Sequence, residues 1–199
     1  SQINPHFLFN TLNSINRTVM LGRREQALTM LDSLSVLLRY NLADAQMPAL
    51  LGEELGITEE YLKIQKMRFS SRLNVDVRHD RKLEQAVTLP RFTLQPLVEN
   101  AVIHGLEPKE EGGTLILDVR KTGNYIRIRI CDNGMGIEKE RLEKIRRRLS
   151  EKQPERIGVW NIWQRLSLYT GRDDSLKIMS KKGAGTIVSI YLHRGEEDV

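Results

Sequence analysis

QPLVENAVIHG, residues Gln95–Gly105, is the stretch that decides the fold, because its spacing predicts a helix with two distinct faces. Apolar residues recur at the interval of a buried helical stripe, at Leu94, Leu97, Val98, Ala101 and Val102. Asn100 and His104, one turn apart, share another face of the same helix. An asparagine oxygen is a hard, neutral ligand that suits a magnesium ion held mainly by water and phosphate groups. Taken alone, however, an asparagine on an amphipathic helix is more often a solvated or capping residue.

The stretch Asp132–Ile137, DNGMGI, supplies a second motif. It follows Tyr125–Ile130, where isoleucines occupy every second position, so the pattern predicts a half-buried strand that runs into a glycine turn. The carboxylate of Asp132 at that strand end could accept a hydrogen bond from the exocyclic amine of a base. Gly134 and Gly136 would let the base lie against bare backbone. By itself, the DNG sequence is also a common hairpin turn.

The start of the chain, SQINPHFLFNTLNSI, predicts a helix with Asn4 as its cap and Pro5 in its first turn. Polar residues form one stripe of this helix, at His6, Asn10, Asn13 and Arg17. Apolar residues form the opposite stripe, at Leu8, Leu12, Ile15 and Val19. A neutral imidazole is a competent nucleophile near its unperturbed pKa of about 6.5, although a histidine beside a proline is usually structural.

A second helix is predicted from about Glu25 to Leu42, with leucines at similar spacing. Two short amphipathic helices bury little apolar surface alone, so we expect the pair to meet a second copy in a dimeric bundle.

Residues 44–51 are typical of a hinge. After it, the pattern predicts a helix at 53–69, a strand at 73–78, and two hairpins formed by 114–119 with 125–130 and by 176–180 with 186–192. This order predicts an α+β chain: a short helical hairpin followed by one layered α/β sandwich.

Composition is typical of a soluble globular protein, with 40% hydrophobic and 29% charged residues. No apolar run approaches the roughly 20 residues of a membrane span, so we expect any membrane anchor in segments missing from this chain. Much of the net charge of +5 falls between Glu138 and Arg156, where eight Lys and Arg face five Glu. A basic segment this local suits phosphates better than a nucleic-acid duplex, although pairs such as Glu140 with Lys144 also fit a solvated helix face. The single Cys131 excludes an internal disulfide.

Four short motifs follow one another along the chain: LVENA in the helix, DNGMG after the strand, GVWN at 158–161 and GAGT at 183–186. In this order they resemble the ATPase domain shared by sensor histidine kinases, DNA gyrase and MutL, the GHKL superfamily. The opening motif and the block YLKIQKMRF narrow the resemblance to the YesM/LytS type of bacterial sensor histidine kinase. The resemblance covers nearly the whole chain. It implies dimerisation and histidine-phosphotransfer helices at 1–45 and a GHKL-type catalytic ATP-binding domain at 46–199.

The resemblance also implies roles for individual residues. In kinases of this type the histidine of the NPHFLFN motif accepts the phosphoryl group, and it maps onto His6. Asn10 lies where related kinases place a polar residue that can position a hydrolytic water. The residues implied in ATP binding are Asn100, His104, Asp132, Gly134, Gly136, Gly158, Asn161, Gly185 and Thr186. Of these, Asn100 would hold Mg2+, Asp132 the adenine amino group, and Gly158 and Asn161 the phosphate side. Residues 138–156 would form a lid that orders around the nucleotide.

The expected activity follows from these roles. The chain should bind MgATP, autophosphorylate His6 and pass the phosphoryl group to an aspartate on the receiver domain of a response regulator. It should form a homodimer through its N-terminal helices and bind no nucleic acid. The longer protein is expected to be anchored in the bacterial cell membrane, with this portion on the cytoplasmic side.

Three positions depart from the family pattern. Phe7 follows the histidine where commoner histidine kinases have an acid that can serve as a base, so the base for His6 is unassigned. Ile103 stands where many relatives have a lysine, and Arg156 stands where they have a glycine. Both substitutions bear on nucleotide affinity. Two other classes stay open: a nucleotide-binding module without kinase activity, and a GHKL ATPase that hydrolyses ATP to drive a conformational change.

Overall fold

A computed structural model describes residues 5–42, 47–152 and 158–193. Its α-helices are α1 (Pro5–Met20), α2 (Arg24–Asn41), α3 (Leu51–Phe69), α4 (Arg81–Ala86), α5 (Leu94–Asn100), α6 (Lys139–Ser150) and α7 (Gly158–Thr170). Its strands are β1 (Pro48–Leu50), β2 (Leu73–Arg78), β3 (Thr88–Pro90), β4 (Gly113–Thr122), β5 (Tyr125–Asp132), β6 (Leu176–Lys181) and β7 (Gly185–His193). A 3-10 turn at Ser70–Arg72 precedes β2, and a π-helical segment at Ala101–Leu106 continues α5.

The main sheet has five strands in the order β2-β4-β5-β7-β6. The two predicted hairpins, β4 with β5 and β6 with β7, are confirmed as antiparallel neighbours. Strand β2 instead runs parallel to β4, a pairing that needs the long connection through α4 and α5. A separate two-stranded sheet joins β1 to β3, so Pro48–Leu50 of the predicted hinge is a strand. Residues 44–46 of that hinge lie outside the described residues.

Helices cover one face of the main sheet. In β5 the isoleucines at 126, 128 and 130 are buried, and the residues between them are only half-buried. This alternation is that of a sheet with one face on the core and the other towards solvent. The predicted α+β class, with a helical hairpin followed by an α/β sandwich, is confirmed. None of the helices in the described ranges combines the length and the apolar character that crossing a bilayer requires.

The face of α1 that packs within the chain differs from the predicted apolar stripe. Its buried residues are Phe7, Thr11, Ile15 and Thr18, which leaves Leu12 and Val19 exposed. The threonines tolerate burial because their hydroxyls donate to carbonyls one turn earlier, Thr11 to Phe7 at 2.8 Å and Thr18 to Ser14 at 2.7 Å. In α2 the buried face likewise runs through Ala27, Met30, Ser33, Leu34 and Leu37. Of the leucines whose spacing predicted the helix, Leu34 is buried, whereas Leu28, Leu31 and Leu38 are exposed.

The hairpin of α1 and α2 lies against α3. The ring of Phe7 packs on Tyr61 of α3, with 5.1 Å between the ring centroids. Further along the same interface, the hydroxyl of Ser33 donates to Glu60 at 2.6 Å. Helix α3 therefore separates the hairpin that carries His6 from the helix that carries Asn100.

Candidate functional site

The helix that carries Asn100 changes geometry directly after that residue. The Glu107 N–H donates to the Val102 carbonyl at 2.8 Å, a bond that reaches back five residues and widens the turn. Such π-helical turns often lie at functional sites. The predicted buried stripe is confirmed, since all five of its apolar residues are buried. Asn100 is half-buried and His104 is exposed, so the other face of the helix remains accessible.

Asp132 ends β5 beside this helix and is 9% exposed. Its Oδ1 accepts the Gly134 N–H at 2.9 Å, and its carboxylate accepts a second backbone hydrogen bond from Thr186, its partner in the β5–β7 ladder. Burial raises the pKa of Asp132, and the two backbone hydrogen bonds act in the opposite direction. A buried carboxylate held by backbone donors is well placed to accept a further hydrogen bond from a bound amine.

The glycine turn after Asp132 packs directly on the end of the π-helical segment. The Met135 N–H donates to the Gly105 carbonyl at 2.8 Å. A Cβ atom at Gly134 would lie 2.2 Å from the same carbonyl oxygen, so no larger residue fits there without moving the backbone. A Cβ atom at Gly105 would lie 2.8 Å from Oδ1 of Asp132. The two motifs, distant in sequence, therefore form one continuous surface, and Gly105 belongs to it although no role was assigned to it.

The second half of the turn packs on the β6–β7 hairpin. Gly136 has a φ of 66°, and a Cβ atom there would lie 2.0 Å from the Lys181 carbonyl oxygen. The Gly183 N–H donates to the Met135 carbonyl at 2.7 Å, and Gly185 lies against the Asp132 carbonyl. The GAGT motif therefore contacts the DNGMG motif, as the assignment of both to one pocket requires.

Ser180 is a site residue that sequence reasoning missed. Its Oγ accepts the Ile137 N–H at 2.9 Å, donates to the Gly185 carbonyl at 2.9 Å, and lies 2.9 Å from the Thr186 hydroxyl. This one hydroxyl fixes the orientation of Thr186 and joins the two turns. A serine in an alternating strand gives no signal of such a role in the sequence.

Helix α7 begins beside Asn100. A Cβ atom at Gly158 would lie 4.0 Å from the side-chain nitrogen of Asn100. The first turn of a helix offers unpaired N–H groups and a positive dipole end, which favour phosphate. Asn161, one turn further, is exposed. Trp160 and Trp163 are buried against each other, with 4.8 Å between ring centroids, so both serve as packing residues.

The predicted lid contains α6. Arg146 holds this helix to the sheet, because its guanidinium donates to the Ile178 carbonyl at 2.6 Å and 3.1 Å. Leu142 is buried and Arg148 is half-buried, whereas Lys139, Arg141, Lys144 and Arg147 are exposed. Residues 153–156 of the predicted lid, including Arg156, lie outside the residues that the structure describes. Ile103 is half-buried on the π-helical segment.

His6 and Asn10 form a separate pair on α1. His6 is exposed, and the Asn10 side-chain nitrogen lies 3.1 Å from its Nε2 and 3.2 Å from its Nδ1. Phe7, which replaces the acid of commoner kinases, is buried on Tyr61 and anchors α1 to the rest of the chain. The residue after the histidine therefore serves packing.

Residues 86–196 match the family model described as histidine kinase-, DNA gyrase B-, and HSP90-like ATPase, and residues 1–73 match the model described as histidine kinase. The chain is 35% identical over 192 residues to the sensor histidine kinase YesM of Bacillus subtilis (strain 168), which covers 96% of this chain and 32% of that protein. It is 33% identical over 195 residues to the sensor histidine kinase YpdA of Escherichia coli (strain K12), which covers 96% of this chain and 33% of that protein. The chain thus spans about a third of the length of these relatives.

Solved structures agree on the fold. The histidine kinase domain of the blue-light activated histidine kinase EL346 of Erythrobacter litoralis superposes with a TM-score of 0.52 at 19% identity, covering 84% of this chain and 74% of that chain. The catalytic domain of the histidine kinase ThkA superposes with a TM-score of 0.52 at 15% identity, covering 74% of this chain and 95% of that chain. With the family models covering nearly every described element, the chain belongs to the histidine kinase-, DNA gyrase B- and HSP90-like ATPase family and carries the histidine kinase region at its N-terminal end.

Proposed function

We propose that this chain is the catalytic portion of a sensor histidine kinase. In this proposal it binds MgATP, transfers the γ-phosphoryl group to His6 and passes it on to an aspartate of a response regulator. One observation carries the proposal: Asp132, the glycine turn after it and the GAGT motif pack together beside the helix of Asn100. The same chain also has an exposed histidine, His6.

Each end of the site suits a different part of ATP. The buried Asp132 carboxylate would accept a hydrogen bond from the adenine amino group, with the base lying against the backbone of Gly134 and Gly136. The start of α7 at Gly158 would receive the phosphates, with Asn161 beside them and Gly185 and Thr186 closing the adenine end. His104, exposed on the face of Asn100, is assigned to the same side of the site.

The donor set at Asn100 suits Mg2+. Within the described residues no cluster of three or more His, Cys, Asp or Glu side chains could hold a metal ion. Mg2+ commonly keeps several waters and binds through substrate phosphates with one or two protein oxygens, which matches a single amide oxygen. When bound, the ion would neutralise charge on the phosphates. The residues of this chain would orient the nucleotide around it.

Phosphoryl transfer to His6 needs alignment more than activation. A neutral ring nitrogen attacks the γ-phosphorus, the bond from that phosphorus to the bridging oxygen breaks, and ADP leaves. The proton on the other ring nitrogen passes to a base that is not yet assigned. Asn10, within hydrogen-bond distance of the ring, can hold the imidazole orientation, and we assign it the positioning of a hydrolytic water in a separate phosphatase reaction, in which water takes up the phosphoryl group and releases inorganic phosphate.

The exposed apolar surface of the α1–α2 hairpin supports a homodimer. Its exposed large apolar residues are Phe9, Leu12, Val19, Met20, Leu21, Leu28, Leu31, Val36, Leu38 and Leu42. We propose that a second copy covers them in a homodimer, so that residues 1–45 form the dimerisation and phosphotransfer part. Residues 46–199 form the catalytic part, supported by the pairing of β1 with β3 on that side. We propose that the longer protein is anchored in the bacterial membrane, with this portion on the cytoplasmic side.

Incubation with γ-labelled ATP tests the proposal. We expect acid-labile, alkali-stable label on the wild-type chain and none on His6→Gln. Label that persists in His6→Gln would refute the assignment of the acceptor. Magnesium-dependent nucleotide binding without label would select a binding module, and rapid ATP turnover without phosphoprotein would select a conformational ATPase.

A further inference from the structure

A buried carboxylate outside the nucleotide site holds together the elements that form it. Glu54, in the first turn of α3, is 1% exposed. Its Oε1 accepts the Phe92 N–H at 2.7 Å, and its Oε2 accepts the N–H groups of Thr93 and Leu94, each at 2.9 Å. A carboxylate this deeply buried is stable only with such a set of donors.

Two of these N–H groups belong to the start of α5, where backbone donors have no partner within the helix: Leu94 is its first residue and Thr93 its capping residue, and Phe92 directly precedes them. A helix usually satisfies them with the side chain of its own capping residue. The capping residue here, Thr93, instead donates its hydroxyl to the Pro90 carbonyl at 2.6 Å. Glu54 therefore supplies the cap from another helix, and its negative charge lies at the positive end of the α5 dipole.

The same short loop is also tied to α7. Arg165 of α7 donates to the Phe92 carbonyl at 2.6 Å. Phe92 has a φ of 60°, an unfavourable backbone conformation for a residue with a side chain, and it is held there by Glu54 on its N–H and by Arg165 on its carbonyl. Helix α5 ends at Asn100 and α7 begins at Gly158, the pair that meets in the site. One loop thus fixes both elements.

The phosphoacceptor hairpin reaches this loop through Tyr40 of α2. Its hydroxyl donates to Oε1 of Glu54 at 2.5 Å. Its ring packs edge-on against Phe92, with 5.1 Å between centroids, and the Arg91 guanidinium lies 4.9 Å from the centre of the Tyr40 ring. Burial and the Glu54 carboxylate raise the pKa of Tyr40, so its hydroxyl remains a donor throughout the physiological range.

We infer that Glu54 is a positioning residue for the nucleotide site and that Tyr40 couples the phosphoacceptor hairpin to that site through the Glu54 carboxylate. The inference rests on the proposed function. When the Tyr40 hydroxyl donates to Glu54, the carboxylate stays in position to accept the N–H groups at the start of α5. When the hairpin moves away, the carboxylate loses its fourth donor and its hold on α5 weakens. Movement of α2 would in this way change the affinity of the site for ATP.

Tyr40→Phe tests this coupling, because it removes the hydroxyl and keeps the ring contacts with Phe92 and Arg91. The matched control is Ser33→Ala, which removes a 2.6 Å hydrogen bond between the same two helices, to Glu60 instead of Glu54. Both variants are made in the 199-residue chain. Amide hydrogen exchange over residues 92–100 is measured without nucleotide, and MgATP affinity is measured by calorimetry.

We expect Tyr40→Phe to speed exchange over residues 92–100 by about tenfold. We expect it to weaken MgATP binding by about fivefold or more, while Ser33→Ala changes neither. Glu54→Gln should produce the larger loss of affinity, since it removes the charge that caps α5. Equal effects of Tyr40→Phe and Ser33→Ala, or no effect of either, would overturn the inference. A wild-type chain that binds no MgATP would refute the proposed function instead. The hydrogen-exchange rates of Tyr40→Phe and Ser33→Ala would still decide whether Tyr40 stabilises the start of α5 through Glu54.

Discussion

Asp132 illustrates a conflict between stability and binding at a single side chain. Its pKa is raised by burial, so between the ordinary carboxyl pKa of about 3.9 and the raised value the folded chain binds more protons than the unfolded chain. Stability from this group therefore falls as the pH rises through that window and is lowest when Asp132 is ionised. In the proposed nucleotide site, the ionised form is the one that would accept best from an adenine amine, so binding of the base would offset the cost of keeping Asp132 charged.

Asp132→Asn should therefore separate the two properties. We expect this variant to unfold at a higher temperature than wild type at pH 7, with the difference shrinking as the pH approaches about 4, because the neutral amide avoids the cost of a buried charge. We also expect it to bind MgATP at least about tenfold more weakly, since a hydrogen bond to a charged acceptor is lost. Thermal unfolding across a pH series and calorimetric titration measure the two effects. A variant that binds ATP like wild type would remove Asp132 from the adenine site.

Gly134 is a second position where one added carbon should matter. Because its Cβ would lie 2.2 Å from the Gly105 carbonyl oxygen, Gly134→Ala must push the turn away from the helix of Asn100. We expect a loss of about 1–3 kcal/mol in the free energy of unfolding and a marked loss of MgATP affinity. Gly56→Ala is the matched control. Apart from its chain neighbours and the backbone of its own helix, no atom lies within 4 Å of the added carbon, and the residue is in α3, so we expect that change to stabilise the chain by about 0.5–1 kcal/mol.

Helix α6 is the element whose position we expect to depend on nucleotide. Its attachment to β6 runs through Arg146 and the Ile178 carbonyl, while most of its remaining cations face solvent. If residues 138–156 close over the phosphates, MgATP should slow their cleavage in limited proteolysis. Arg146→Met should speed cleavage in the absence of nucleotide, because it removes that attachment. Equal cleavage of this segment with and without MgATP would contradict its assignment as a lid.

The exposed apolar residues of the α1–α2 hairpin allow the proposed homodimer to be tested. Leu12 and Leu31, on α1 and α2, are 45% and 41% exposed, and a homodimer would bury both. We expect Leu12→Glu with Leu31→Glu to convert a dimer into a monomer in sedimentation velocity, with little change in the fold. Leu168→Glu is the control, because Leu168 is 79% exposed but lies on α7, away from the hairpin. A wild-type chain that is monomeric at high concentration, or a dimer unaffected by the double change, would contradict the proposed assembly.

The sequence by itself determined the features that depend on neighbours along the chain. Alternating isoleucines placed β5, glycine-containing turns placed both hairpins, and the stripe through Leu94 and Val98 placed the buried face of α5. These patterns are reliable because a strand or helix repeats its side-chain direction at a fixed period. The order of the motifs along the chain also predicts a nucleotide site.

Only the tertiary structure decided which partners those elements meet. It selected Phe7 and two threonines as the packed face of α1, paired β2 in parallel with β4, and widened the helix after Asn100 into π geometry. It also brought Glu54 to the start of α5 across a separation of 38 to 40 residues. The physical reason is that burial and hydrogen-bond satisfaction are settled between distant segments. The sequence does not show which donor or acceptor a given threonine, serine or glutamate will bind in the folded chain.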